Sequence, residues 1–117
     1  MDIKGRARRL TIFLGESDKL HHRPLPEVIV QEARAAGLAG ATAWRGQMGF
    51  GRTARMRSAA VLDLSTDLPM IIEVVDTPEK IGPFLDKLES LFEEAGSGGL
   101  VTVEDVEVHR YTGHSDR

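Results

Sequence analysis

The first half of the chain carries its apolar residues in an alternating run and then at helical spacing. Residues 10–14 (Leu-Thr-Ile-Phe-Leu) predict a short strand. Pro24 suits the first turn of a helix, and residues 25–36 place apolar side chains every three or four positions, so we expect an amphipathic helix up to Gly37. Residues 39–48 are predicted to form a second strand.

The second half repeats this order. Residues 59–64 predict a short strand, and the nearly continuous apolar run 70–75 predicts a central strand of a sheet. Thr77 is the expected N-cap of a second helix, whose apolar positions 81–92 follow a 3.6-residue period. Because Pro83 clashes with a preceding helical turn, we expect either a kink there or a restart of the helix at that residue.

In the last predicted strand, residues 100–111, strict alternation places Val101 and Val103 on one face but Val106 and Val108 on the other. We therefore expect a β-bulge near residues 104–105. The order predicts an α+β, ferredoxin-like βαββαβ sandwich, in which two helices cover one face of a four-stranded antiparallel sheet. An extra short strand follows a mobile loop. We expect a single domain over residues 1–117, with a core at about 7–113 and flexible termini. The uncovered sheet face predicts oligomerisation.

The composition excludes several classes of functional site. The 117 residues include no cysteine, which excludes disulfides, thiolate metal sites and cysteine nucleophiles. The net charge of -3 argues against bulk nucleic-acid binding. The longest uncharged run, residues 35–44, is too short to cross a bilayer, so we expect a cytoplasmic protein without membrane insertion.

The charge is divided unevenly along the chain. Residues 1–62 carry 11 Lys/Arg against 5 Asp/Glu, whereas residues 63–117 carry 4 against 13. Between positions 33 and 62 there is no carboxylate, and five arginines occur there: Arg34, Arg45, Arg52, Arg55 and Arg57. This segment is predicted to attract anions. It is either a ligand or partner surface, or a solvated patch that meets the acidic half of a neighbouring subunit.

No enzyme or metal motif is complete. The serines lack a G-x-S-x-G context, the glycines of residues 46–51 make neither a dinucleotide fingerprint nor a P-loop, and the adjacent His21 and His22 are poorly placed to hold one metal ion. We therefore expect neither an enzyme nor a metal protein. An enzyme using Glu16, Asp18 and His21 as acid-base groups is the remaining catalytic alternative. RNA binding is disfavoured because the predicted central strand lacks aromatic residues.

A glycine-framed, arginine-bearing loop after the second strand is opposed, in the predicted fold, by Gly98-Gly99 and by the end of the last strand. Glycine loops expose backbone N–H groups, and arginines bind phosphates or carboxylates through two hydrogen bonds. These elements predict an anion or nucleotide cleft. The alternative is that the glycines only serve turns.

Three segments, residues 15–19 (Gly-Glu-Ser-Asp-Lys), 36–42 (Ala-Gly-Leu-Ala-Gly-Ala-Thr) and 100–107 (Leu-Val-Thr-Val-Glu-Asp-Val-Glu), resemble an uncharacterised, PII-like domain-of-unknown-function family. The resemblance covers residues 7–113. More distantly, the chain is similar in motif order to the nitrogen-regulatory PII signal-transduction proteins. The resemblance implies a homotrimer with ligand clefts between subunits and a long loop that reports the ligand to a partner.

In true PII proteins those clefts hold ATP or ADP. By position, Thr42, Gly49, Phe50, Gly51 and Glu73 match residues near the adenine end and the loop base. The phosphate end departs from the PII pattern, because Leu100 stands where those proteins have a lysine, and their two arginines fall on His109 and Tyr111. Arg52, Arg55 and Arg110 are the candidates to compensate.

The leading hypothesis is a cytoplasmic, homotrimeric PII-like sensor. It would bind a small anionic or nucleotide ligand between subunits through Thr42, Gly49, Phe50, Gly51, Arg52, Glu73, Gly98, Gly99 and Arg110. No cofactor is expected to be obligatory, and an adenine nucleotide is the candidate ligand. The loop 48–58, with Arg52, Arg55 and Arg57, would dock on a membrane transporter or an enzyme. The alternative is a ligand-free interaction trimer that docks through the same basic loop.

Overall fold

The structure, a computed structural model, describes residues 2–50, 57–58 and 67–113. Its elements in chain order are β1 (Asp2–Gly15), β2 (Lys19–Leu20), β3 (Arg23–Pro24), α1 (Leu25–Ala35), β4 (Thr42–Arg45), β5 (Met48–Gly49), β6 (Arg57–Ser58), β7 (Pro69–Asp76), α2 (Pro78–Ala95) and β8 (Leu100–Thr112). The main sheet has the order β4-β7-β1-β8, with antiparallel neighbours throughout. This is the strand order of the ferredoxin-like βαββαβ sandwich, so the predicted fold class is confirmed.

The core lies between one face of the sheet and both helices. Leu10 and Ile12 of β1 and Ile72 of β7 are fully buried there, because alternate residues of a strand point to the same face. The helices contribute their buried stripes to the same cluster: Leu25, Val28, Ile29 and Ala33 from α1, and Ile81, Phe84, Leu88, Leu91 and Phe92 from α2. Two helices on one face leave the other face without a helical layer.

Both helices begin and end near the predicted residues. Thr77 occupies the N-cap position of α2, but its hydroxyl makes no capping hydrogen bond. Its backbone carbonyl instead accepts the N–H groups of Lys80 and Ile81. Gly37 after α1 and Gly96 after α2 have positive φ angles of 77° and 65°, the conformation in which glycine is favoured at a helix end.

The second helix continues through Pro83, which excludes the restart and leaves the kink as the remaining alternative. Gly82 explains part of this tolerance. A side chain before a proline clashes with the proline ring in the helical conformation, and glycine has no Cβ to do so.

The bulge predicted near residues 104–105 is also wrong. The β1–β8 register is continuous there, and it shifts instead between Ile3 and Gly5, which pair with Tyr111 and Val108. The valines of β8 change sides because β1 changes its buried face at the same level: Leu10 is buried on one face, whereas Ala7 is buried on the other. Because β1 and β8 change their buried face at the same level, the register at residues 104–105 stays continuous without an extra residue.

Several bounds differ from the prediction. β1 begins at Asp2 rather than at residue 10, and β4 ends at Arg45 rather than at residue 48. Met48–Gly49 pairs with Arg57–Ser58, so the predicted loop 48–58 starts and ends in a two-residue ladder. The strand predicted at 59–64 lies outside the described residues.

Candidate functional site

A cleft of about 330 Å³ opens on the helix-free side of the sheet, where β7 meets β4. We call it the connector cleft, because the residues that join α1 to β4 form one of its walls. Its lining consists of Ile3, Ala39, Gly40, Ala41, Thr42, Glu73, Val75, Val108, Arg110 and Tyr111. Thr42 and Glu73 are direct cross-strand partners. Since Ile72 and Val74 are buried beneath the helices, alternation places Glu73 and Val75 on the opposite face.

The irregularity in β8 shapes the second wall. Between the pairs Gly5–Val108 and Ile3–Tyr111, β1 has one residue and β8 has two. Val108 and Tyr111, three positions apart, therefore line the same cleft, together with Arg110 from the bulge itself. A bulge commonly redirects side chains in this way beside a site.

Hydrogen bonds fix the connector wall at Ala39. The Ala39 N–H donates to Oδ2 of Asp76 at 2.8 Å, and the Tyr111 hydroxyl donates to the Ala39 carbonyl at 2.9 Å. Two residues earlier, Nζ of Lys80 donates to the Gly37 carbonyl at 2.8 Å. Side chains of three other elements thus hold the connector.

The charges in and beside the cleft are mixed. Arg9 Nε lies 3.9 Å from Glu73 Oε2, and the same guanidinium makes a closer ion pair with Glu104. The hydrogen bond and charge of Glu104 raise the pKa of Arg9 above its ordinary value, so Arg9 stays cationic. The Glu73 side chain is 39% exposed and accessible from the cleft. With Arg110 at the β8 wall, the lining offers one anionic and one cationic group between apolar surfaces of Ile3, Val75 and Val108.

The structure brings three of the predicted ligand residues together: Thr42, Glu73 and Arg110. Gly49, Phe50, Gly98 and Gly99 do not line this cleft. Gly49 packs against Pro69, whose strand position pairs with Gly15 at the other end of the sheet.

The pair Gly98-Gly99 also lies at that far end, just before Leu100, which pairs with Phe13. A Cβ at Gly99 would stand 2.7 Å from the Phe92 ring, so close packing accounts for this glycine. Among the described residues, the predicted set therefore does not line one cleft within a single chain. Along β1, Arg110 lies level with residues 3–5, about ten residues or roughly 30 Å from Gly15, whereas Thr42 and Glu73 lie level with Thr11, four residues or about 13 Å from Gly15.

The remaining predicted residues are not described in full. Gly51, Arg52 and Arg55 lie outside the described residues. Arg57 is described only as part of the β5–β6 ladder.

Sequence reasoning missed most of the apolar lining. Ile3 gave no signal because it stands among charged residues, and the predicted first strand began seven positions later. Tyr111 was placed at the end of the last strand, which was expected to oppose the basic loop, and was noted as a departure from the PII pattern, but no contact of its hydroxyl was predicted. Residues 39–41 belonged to a segment that carried the family resemblance, but no chemistry pointed to their backbone.

A second cleft, of about 470 Å³, lies beside β4 and α1. It contains Glu16 and Arg45, which form an ion pair at 2.9 Å, among the lining residues Pro24, Pro26, Glu27, Val30, Gln31, Ala43 and Met70. The Glu16 and Arg45 charges are already engaged with one another.

Glu16, Asp18 and His21, the side chains of the alternative acid-base site, each contact different residues. Glu16 pairs with Arg45, Asp18 accepts hydrogen bonds from the Gly15 N–H and the Ser97 hydroxyl, and His21 lies 2.6 Å from Glu94. These contacts give the trio a role in holding turns rather than a shared acid-base site.

Within residues 2–50, 57–58 and 67–113, no three His, Asp or Glu side chains are grouped so as to hold a metal ion. Of the two helices described, neither combines the length and the apolar character that crossing a membrane requires.

Comparison with solved structures gives PII-like neighbours. The chain is 25% identical to CPII, a nitrogen regulatory PII-like protein from Thiomonas intermedia K12 bound to ADP, AMP and bicarbonate, with a TM-score of 0.65 over 94% of this chain and 92% of that one. A putative PII-like signaling protein from Thermus thermophilus is 17% identical, with a TM-score of 0.64 over 90% and 91% of the two chains, and shows the shared fold alone.

Sequence comparison gives the family. A UPF0166 protein from Aquifex aeolicus is 34% identical over 99 residues, which are 85% of this chain and 90% of that protein. Residues 7–108 match the family DUF190, described as an uncharacterized ACR. The predicted relationship is confirmed, and the chain belongs to the DUF190 (UPF0166) family, whose structural neighbours are PII-like proteins.

Proposed function

We propose that this protein is a PII-like regulator that binds an adenine nucleotide, or a small anionic ligand, in the connector cleft and reports it to a partner through residues 48–58. The observation that carries the proposal is the convergence of Thr42, Glu73 and Arg110 in one cleft. It occurs in a fold shared with a protein that was solved with ADP, AMP and bicarbonate bound.

The chemistry of the lining suits an adenine nucleotide. A purine ring has two apolar faces, which would pack against Val75 and Val108. The edge of adenine also donates hydrogen bonds, which the Glu73 carboxylate would accept. Arg110 provides a cation for the phosphate or for bicarbonate. The cleft volume lies at the lower end of the range of small-molecule sites, so a mononucleotide fits better than a larger ligand.

β4 provides a short path from the cleft to the loop. Thr42 lies in the cleft and Arg45 ends the strand three residues later, a distance of about 10 Å. The next N–H, that of Gly46, donates to the Pro69 carbonyl at 2.7 Å, and β5 follows. We infer that ligand contact at Thr42 changes the loop base through this strand and thereby alters docking on a membrane transporter or an enzyme.

A homotrimer would complete the site. The helix-free face carries a cross-strand apolar row, Trp44, Ile71, Phe13 and Leu100, and three of its members are 39–58% exposed. Covering that row in an oligomer removes apolar surface from water. A neighbouring copy would then place its own loop base against the connector cleft, which joins the two groups of predicted ligand residues across subunits.

The test is isothermal titration calorimetry of the purified protein with ADP, AMP and bicarbonate. We expect AMP or ADP to bind, and we expect Glu73→Gln and Arg110→Gln each to weaken binding about tenfold or more, as loss of a charged hydrogen-bond partner does. Glu107→Gln, a charge change on β8 outside the cleft, is the matched control. Absence of binding by all three probes, or equal weakening by the control, would contradict the proposal.

The second candidate is a ligand-free interaction trimer. The exposed apolar row and the arginine-rich loop favour it, because both suit protein contacts without any small molecule. A partner complex that weakens with salt but is indifferent to ADP, AMP and bicarbonate would support this candidate instead.

A further inference from the structure

Asp76 is a buried carboxylate that the proposed ligand chemistry does not use. It is 1% exposed, and in the part of the chain that the structure describes it is the one charged residue buried to this degree. Its Oδ2 accepts the Ala39 N–H at 2.8 Å and its Oδ1 accepts the Thr77 N–H at 2.6 Å. A buried carboxylate is costly unless it is hydrogen-bonded, so these two bonds specify where the connector must lie.

Tyr111 completes the fixation of the same residue. Its hydroxyl donates to the Ala39 carbonyl at 2.9 Å, although the side chain is 36% exposed. Asp76 ends β7 and Tyr111 lies near the end of β8, and β1 separates these strands in the sheet. The N–H and the carbonyl of Ala39 are therefore both hydrogen-bonded. Their partners come from β7 and β8, two strands that are not neighbours in the sheet.

We propose that Asp76 and Tyr111 are positioning residues of the connector cleft, which hold Ala39 so that the backbone of Gly40 and Ala41 forms a rigid wall before any ligand arrives. Apart from its chain neighbours, nothing lies within 4 Å of where a Cβ of Gly40 would stand, so packing at that position does not hold Gly40 in place. A wall that is already ordered spares the ligand the cost of ordering it. The effect on affinity rests on the proposed function, whereas the rigidity of the wall does not.

The experiment compares Tyr111→Phe, which removes only the hydroxyl, and Asp76→Asn with wild type. Lys80→Met is the control, because it removes a hydrogen bond to the same connector at Gly37, outside the cleft. Amide hydrogen exchange at residues 39–41 is measured by NMR in the free protein, and AMP and ADP affinities are measured by calorimetry. Should Asp76→Asn fail to fold, Tyr111→Phe carries the test.

We expect Tyr111→Phe to speed exchange at residues 39–41 and to weaken AMP or ADP binding about threefold to tenfold, the effect of one hydrogen bond. Lys80→Met should leave both quantities near wild type. Unchanged exchange in the variants overturns the proposal, as does faster exchange with unchanged affinity, which would leave a purely structural role. If the wild type binds neither nucleotide, the proposed function fails, and exchange alone decides whether the two side chains hold the wall.

Discussion

Gly99→Ala separates two explanations of one glycine, since the sequence predicted a ligand contact and the structure shows a packing constraint. An added methyl group would stand 2.7 Å and 2.8 Å from two atoms of the Phe92 ring and 3.2 Å from the Phe13 carbonyl oxygen. Ordinary contact begins at 3.4 Å, so the ring must move by at least 0.7 Å. Phe92 belongs to the core cluster and has neighbours on its other sides.

Overpacking of this kind lowers the free energy of unfolding by about 1–3 kcal/mol, which for a chain of this length lowers Tm by about 4–12 °C. The φ of Gly99 is not positive, so an alanine without the clash would stabilise by about 0.4–1 kcal/mol. Gly40→Ala is the control, because its Cβ would meet nothing within 4 Å. We expect that control to match or slightly exceed wild type.

The assay is urea unfolding at one fixed protein concentration, combined with nucleotide titration of the same variants. A double-mutant cycle with Phe92→Leu identifies the cause, because a smaller side chain should relieve much of the penalty. The packing argument is refuted if Gly99→Ala unfolds like wild type but loses nucleotide binding, or if the cycle shows no coupling between the two positions.

Three further predictions concern stability. Leu10→Ala, in the fully buried centre of the sheet, should lower the free energy of unfolding by about 2–5 kcal/mol in urea titrations. His22→Gly should raise it by about 1 kcal/mol, because His22 has a φ of 71° in a two-residue turn, whereas His22→Ala should not. The stability difference between wild type and Glu104→Gln should stay constant from about pH 6 to 9 and shrink with added salt. The reason is that the hydrogen bond and charge of Glu104 raise the pKa of Arg9 above its ordinary value, so the cation of the pair stays charged throughout this pH range.

The fold was predictable where burial imposes a period on the sequence. Alternate residues of 10–14 and 70–75 lie under the helices, so the alternation or apolar continuity of these segments identified the strands directly. The first eight residues of β1 gave no such signal, because that part carries charged side chains and changes its buried face near Ala7. A change of face in two paired strands looks, in either strand alone, like a bulge, and this is why the bulge was placed wrongly at residues 104–105.

The site was predictable only in part, because residue type and site geometry carry different information. Glu73 was named because it matches a position of the PII proteins, and Arg110 because it is a cation at the end of the last strand; both line the connector cleft. The backbone wall at residues 39–41 depends on two long-range hydrogen bonds, which no local pattern encodes. The role of Gly99 could not be read from the sequence, because a glycine required for close packing and a glycine required for phosphate approach look the same in one sequence.

The separation of the predicted ligand residues follows from the topology itself. In this antiparallel sheet Arg110 lies beside the start of β1, whereas Gly49 and Gly99 lie at the end where β1 finishes. A single chain cannot fold those two ends together without breaking the β1–β8 ladder. If both groups serve one ligand, two copies must supply them, and the uncovered apolar row gives copies a reason to associate. A mixed oligomer of Arg110→Gln chains with chains altered at the loop base should then retain some intact sites. If the ligand were held within one chain, every site in that oligomer would carry one of the two changes and none would be intact.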